Sequence, residues 1–166
     1  MVAEGDPAPT FELDSTAGGT QRLVDSLASG PTAIVVFRGY WCSYCAEQLQ
    51  TFSNLAYDLW RHFDTDVLPI TVDPVPDLVE MRDRFDLTVQ LLSDSELDIA
   101  PAYTGIEDHP RYGRIPVPGT FIVDTDGIVQ HAQVAEHTAD RTYANLVRHT
   151  IKGGFDGEGY TPSRLP

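Results

Sequence analysis

Two cysteines, Cys42 and Cys45, are the only ones in the 166-residue chain, and they stand three positions apart. Random placement would give that spacing in roughly one arrangement in eighty, so a working dithiol is the favoured explanation. In thiol chemistry the attacking species is the thiolate, and a second thiol within reach closes a disulfide behind it. Such a pair can pass two electrons to a disulfide or to a peroxide, and it calls for no cofactor or metal beyond its own sulfurs. Two other uses of the same residues are inert core cysteines and half of a zinc site.

The flanking sequence says what positions the pair. Thr32-Ala33-Ile34-Val35-Val36-Phe37 is an unbroken apolar, largely β-branched run of strand length, as expected of a strand buried on both faces. Beyond it, Cys45, Leu49, Phe52, Ala56, Leu59, Trp60 and Phe63 recur at spacings of three and four, which predicts an amphipathic helix from about 42 to 62. The dithiol therefore lies where a buried strand ends and a helix begins. Unpaired N–H groups and the positive end of the helix dipole favour thiolate there, which makes Cys42 the attacking residue and Cys45 the buried resolving thiol.

Composition excludes several partners. The net charge is −14, from 17 Asp and 8 Glu against 10 Arg and the single Lys152. So acidic a chain will not bind nucleic acid or an anionic membrane by electrostatics. An Asp-rich surface nearly empty of Lys fits a halophilic protein, in which high salt screens self-repulsion. Met1 to Pro7 has neither a basic region nor an apolar run, and no stretch approaches membrane-spanning length, so the expectation is a cytoplasmic protein. In that compartment a cysteine pair is more often catalytic or metal-binding than a permanent bridge.

Along the rest of the chain, Phe11 to Val24 reads as a hairpin turning at Gly18-Gly19, and 67–72 as a strand with Pro69 in its middle. Pro76 opens a helix to about Phe85. An extended segment at 87–92 and a helical one at 95–103 follow, and then a Pro- and Gly-broken loop over 104–118. A second buried strand at 117–124 turns at Asp126-Gly127 into a partner at 128–134, and a helix from about 138 to 151 closes the unit. Residues 1–152 are thus expected to be one α/β domain, a three-layer α/β/α sandwich with a central mixed sheet and an N-terminal β-hairpin extension, and 153–166 a flexible tail.

Taken together, Pro7-Ala8-Pro9-Thr10-Phe11-Glu12-Leu13, Val35-Val36-Phe37-Arg38-Gly39-Tyr40-Trp41-Cys42, Leu91-Leu92-Ser93-Asp94 and Pro118-Gly119-Thr120-Phe121-Ile122-Val123-Asp124-Thr125-Asp126-Gly127 carry a resemblance. The chain resembles the thioredoxin-like superfamily. More closely, it is similar to the redoxin branch, the alkyl hydroperoxide reductase and thiol-specific antioxidant family of peroxiredoxins. The resemblance covers about residues 5–151 and implies a thioredoxin-like fold. Two departures from the peroxiredoxin pattern matter. Neither cysteine has the family's Thr or Ser three residues before it, and the strand-mouth Arg of that family is replaced by Pro118. A proline there is the thioredoxin pattern, which implies a cis Val117–Pro118 bond against the dithiol and free backbone at Val117 for a substrate strand. The buried acid of thioredoxin is replaced by Val36, which leaves Glu47, water and His109 as candidates to accept the Cys45 proton. Trp41 matches the aromatic that precedes a thioredoxin dithiol, so Trp41, Val117 and Pro118 are the implied substrate-binding residues.

Three functions follow. The first is a thiol–disulfide oxidoreductase acting in redox homeostasis on a disulfide-containing protein or a small disulfide. The second is the resemblance's thiol-dependent peroxidase, an antioxidant reducing hydrogen peroxide or alkyl hydroperoxides. Either needs an electron donor, a thioredoxin-reductase-type protein or a low-molecular-weight thiol. The third is a soft-metal carrier in which the dithiol is joined by a histidine, although His131 and His137 lie far outside compact metal-motif spacing.

Overall fold

The computed structural model describes residues 1–155; the remainder of the expected tail, 156–166, lies outside the described residues. The run that reads as a doubly buried strand is the centre of the sheet. This strand, β3 (Thr32–Val36), is buried at every position, because both of its faces are covered. Ala33 and Val35 face a core packed by the helices α2 (Ser43–Phe63), α3 (Val75–Phe85) and α5 (Ala144–Gly153). Ile34 and Val36 face a second core. That one is closed by the N-terminal segment and two short helices, α1 (Leu23–Leu27) and α4 (Ala100–Tyr103). Helices on both faces of one sheet make the three layers.

The sheet has seven strands in the order β2-β1-β5-β4-β3-β8-β9. Strand β4 (Asp66–Thr71) lies parallel to β3, as the intervening α2 crossover requires. Strand β8 (Gly119–Val123) lies antiparallel on the other side, with Val36 opposite Gly119. The hairpin of β1 (Glu12–Ser15) and β2 (Thr20–Arg22) extends the sheet through β5 (Leu92–Ser93), and β9 (Val129–Val134) forms the far edge. Pro69 sits inside β4 without cost to the ladder. Ile70 faces β3, its carbonyl accepting the Phe37 N–H. Pro69 therefore turns its missing N–H toward β5, which pairs only from Ile70 onward. The outer edge of β9 is partly occupied: Gly5 N–H donates to the Val129 carbonyl, and Val129 N–H donates to that of Asp6.

Three expectations need correcting. The segment 104–118 is not an open loop but contains a separate antiparallel hairpin, β6 (Ile106–His109) and β7 (Gly113–Pro116). The closing helix begins at Ala144 rather than near 138, because the residues before it bond elsewhere. The Thr142 carbonyl accepts from Gln48, and Ala144 N–H donates to Thr51 Oγ1. Finally, the Val117–Pro118 bond is trans; no cis peptide occurs among the described residues.

Candidate active site

The chain leaves β3, bends through Gly39, Tyr40 and Trp41, and enters α2 with Cys42 as its N-cap. Cys42 Sγ accepts the Cys45 N–H at 3.4 Å, as a capping side chain does. Cys45, one turn along, brings its Sγ to 2.7 Å from Cys42 Sγ. Both sulfurs are shielded: Cys42 is 4% exposed and Cys45 0%. Their ionisations are driven apart. The Cys45 S–H hydrogen bond, helped by the Cys45 backbone N–H and by nearby Arg141, outweighs burial and brings the Cys42 thiol down to about 6. Burial first, and then the Cys42 thiolate itself, push the Cys45 thiol well up. One sulfur is a nucleophile at neutral pH while its neighbour keeps its proton.

Arg141 was not visible as a site residue in the sequence. It lies in the stretch before α5, is only 9% exposed, and places Nη2 3.7 Å from Cys45 Sγ. Its Nη1 donates to the Asp140 carbonyl, while Nε has no partner among the described residues. Arg22, Arg38, Arg82 and Arg148 each meet a carboxylate, but among the described residues none lies within ion-pair distance of Arg141. A buried cation is costly unless an anion faces it, and the group that can do so here is the Cys42 thiolate. Gln48 holds the backbone of Thr142, the residue next to Arg141. Fully buried one turn after Cys45, it donates through Nε2 to the Thr142 carbonyl at 2.7 Å and to Thr120 Oγ1 at 3.3 Å. A polar residue on the otherwise apolar face at 45, 49 and 52 was the signal for it; Arg141, 96 residues beyond Cys45, gave none.

The turn before Cys42 is gripped from two sides. The Trp41 ring stacks on Tyr112 at 4.0 Å and 5°, with His109 at 4.8 Å and the Arg38 guanidinium 5.3 Å over the indole. Arg38 also bonds Glu107 at 2.9 Å, so the β6–β7 hairpin is fastened to the turn by a stack and an ion pair. On the other side, Asp73 Oδ2 accepts the Tyr40 N–H at 2.7 Å. Gly39 must be glycine in this arrangement, since a Cβ would lie 2.5 Å from Trp41 Nε1.

The remaining sequence-derived residues separate. Val117 and Pro118 line a polar cavity with Arg38, Glu107 and His137. Val117 N–H donates to the Gly105 carbonyl, however, and the Pro118 carbonyl accepts from Ala135 N–H. With the bond trans and that N–H engaged, the thioredoxin-type docking backbone is not formed. Neither proposed proton acceptor reaches Cys45. Glu47 points to solvent, and His109 Nδ1 accepts the Arg111 and Tyr112 N–H groups to close the hairpin turn. Among the described residues no group of three or more His, Cys, Asp or Glu gathers in metal-binding geometry.

Residues 4–132 match the sequence profile of the AhpC/TSA family. The chain belongs to that family. A putative peroxiredoxin of Mycobacterium tuberculosis is 30% identical over 136 residues, covering 80% of this chain and 85% of the relative. The thiol-disulfide oxidoreductase ResA of Geobacillus thermodenitrificans is 28% identical over 130 residues, 78% of this chain and 68% of that protein. In structure, the chain is similar to peroxidoxin BcpB of Mycobacterium tuberculosis. That match has a TM-score of 0.79 at 24% identity, over 91% of this chain and 97% of that one. It is also similar to the peroxiredoxin 6 of Arenicola marina, with a TM-score of 0.82 at 16% identity over 99% and 80% of the two chains. The fold is thioredoxin-like, and this AhpC/TSA member is a thiol-dependent oxidoreductase acting on disulfides or peroxides with a thiol reductant.

Proposed function

We propose that the protein reduces small oxidants, peroxides foremost, with Cys42 as nucleophile and Cys45 as resolving thiol. The observation that carries this is the closure of the site: a Cys42 sulfur only 4% exposed, together with a Val117 N–H bonded to the Gly105 carbonyl instead of free to pair with a substrate strand, admits a peroxide more readily than a protein strand. The Cys42 thiolate attacks one peroxide oxygen, the O–O bond breaks, and the departing alkoxide or hydroxide takes a proton from solvent and leaves as alcohol or water. Cys42 is then a sulfenic acid. Cys45 sulfur attacks it, the Cys42–Cys45 disulfide forms, and the Cys45 proton leaves with the displaced hydroxide as water. This step needs no separate base, which fits a site where Glu47 and His109 are out of reach. An external thiol donor returns two electrons and two protons to the disulfide.

A second use, exchange with a small disulfide, is favoured by the C-x-x-C spacing itself. Reduced protein in molar potassium chloride, mixed with stoichiometric hydrogen peroxide or with a small disulfide, separates the two. Disulfide formation by peroxide at least about 100-fold faster than oxidation of free cysteine is the expected result. Slow reaction with peroxide and fast exchange would instead assign the disulfide reductase. Cys42→Ser abolishes either.

A further inference from the structure

The turn Gly39–Trp41 carries Cys42 into α2, and Asp73 holds that turn through the Tyr40 amide. Strands β3 and β4 are parallel neighbours, so Asp73, just past the end of β4, stands at the same carboxyl edge of the sheet as the dithiol. We propose that Asp73 is a positioning residue that keeps this turn in the shape presenting Cys42, and that it does so fully only as the carboxylate.

The contact is short because the backbone allows it. The space where a Gly39 Cβ would sit lies 3.0 Å from Asp73 Oδ2 and 2.5 Å from Trp41 Nε1, so carboxyl and indole close on the same backbone atom. An N–H bonded to a carboxylate is held about twice as strongly as one bonded to a neutral carboxyl. Burial, with Asp77 of α3 adding to it and the Tyr40 N–H opposing it, raises Asp73 to about 6. Asp77 is the charged group facing it from α3. Arg38 at the end of β3 is turned instead to Glu107, and His109 of the hairpin packs against Trp41. Asp73 thus gains its charge over the same pH range in which Cys42 becomes a thiolate. Asp73 reaches Cys42 through the Tyr40 amide and the Gly39–Trp41 backbone, while the groups that set the sulfur's charge are Cys45 and Arg141, so its effect is on geometry rather than on that charge.

The test rests on Cys42 as nucleophile but on neither oxidant. Wild-type protein is alkylated with iodoacetamide between pH 5 and 8, the modified cysteine is located by mass spectrometry, and each rate is divided by the thiolate fraction from absorbance at 240 nm. The rate per thiolate is expected to rise about fivefold as pH passes 6. Asp73→Asn, an isosteric neutral acceptor, is expected to show no step and to remain at the low-pH level. A wild-type rate per thiolate that is constant with pH overturns the proposal. So does an Asn variant that keeps the step, or one that is flat at the upper level. A residue that merely braces the fold would shift the melting temperature and leave the pH dependence of Cys42 intact. Since neither peroxide nor disulfide enters the assay, its failure would leave the peroxidase proposal standing.

Discussion

Replacing Arg141 by Met keeps the length of the side chain and removes its charge. Nη2 lies 3.7 Å from Cys45 Sγ, which is 2.7 Å from Cys42 Sγ, so the guanidinium is within about 6 Å of the thiolate. At an effective dielectric constant near 20, unit charges at that separation interact by about 3 kcal/mol, or about two pK units; delocalisation over the guanidinium reduces this to about one to two. Cys42 should therefore rise from about 6 to about 7–8. At pH 7 the thiolate fraction falls from about nine-tenths to between a half and a tenth, and alkylation by iodoacetamide slows about two- to tenfold. Because the thiolate stabilises the reduced form, the disulfide couple becomes up to about 30 mV more reducing. The titration is followed at 240 nm and the potential by equilibration with a thiol buffer. If Cys42 in a folded Arg141→Met variant titrates where the wild type does, Arg141 is not the counter-ion of the thiolate. The same variant should be no less stable than wild type at pH 5, where the thiol is neutral and the buried guanidinium lacks an anion.

Three further outcomes are expected. Trp41→Ala removes the stack on Tyr112 and the seat of the β6–β7 hairpin, costing about 2–3 kcal/mol in chemical denaturation and speeding proteolysis within 106–116. An ionised Asp73 is disfavoured by burial, its folded value of about 6 lying above the ordinary 3.8. Its contribution to stability is therefore complete below 3.8 and lost as pH rises through 6, so Asp73→Asn should gain about 1 kcal/mol on wild type between pH 4 and 7, measured by urea unfolding. With a net charge of −14, the melting temperature should rise between 0.1 and 2 M potassium chloride; a flat response would remove the case for salt adaptation.

The strand–dithiol–helix unit was legible because local pattern decides it: an apolar run too continuous for a solvated strand, then spacings of three and four. What escaped was set by contacts distant in sequence. The β6–β7 hairpin is hidden by Gly105, Pro110, Gly113 and Pro116, which read as breakers. It forms because Gly113 adopts φ 72°, the His109 imidazole closes the turn, and Trp41 and Arg38 hold it from 70 residues away. Arg141 sits in residues with helical periodicity that are drawn out of the helix by Gln48 and Thr51. Pro118 stands at the mouth of β8, where the resemblance to thioredoxin puts it, but in the trans form, because a resemblance carries no information that Gly105 binds the Val117 amide.

The arrangement at the sheet margins bears on how the protein behaves in a crowded solution. Open strand edges are where folded chains join one another into aggregates. Here one margin is β2, three residues long, and the other is β9, whose Val129 is already bonded to Gly5 and Asp6, with Ala132 N–H donating to the Glu4 side chain. When salt screens the repulsion between these acidic molecules, charge no longer keeps them apart. The short strand and the N-terminal strap then remain as the barrier to edge-to-edge association. Removing residues 1–6 should therefore show itself as salt-induced precipitation before it shows as a loss of thiol chemistry.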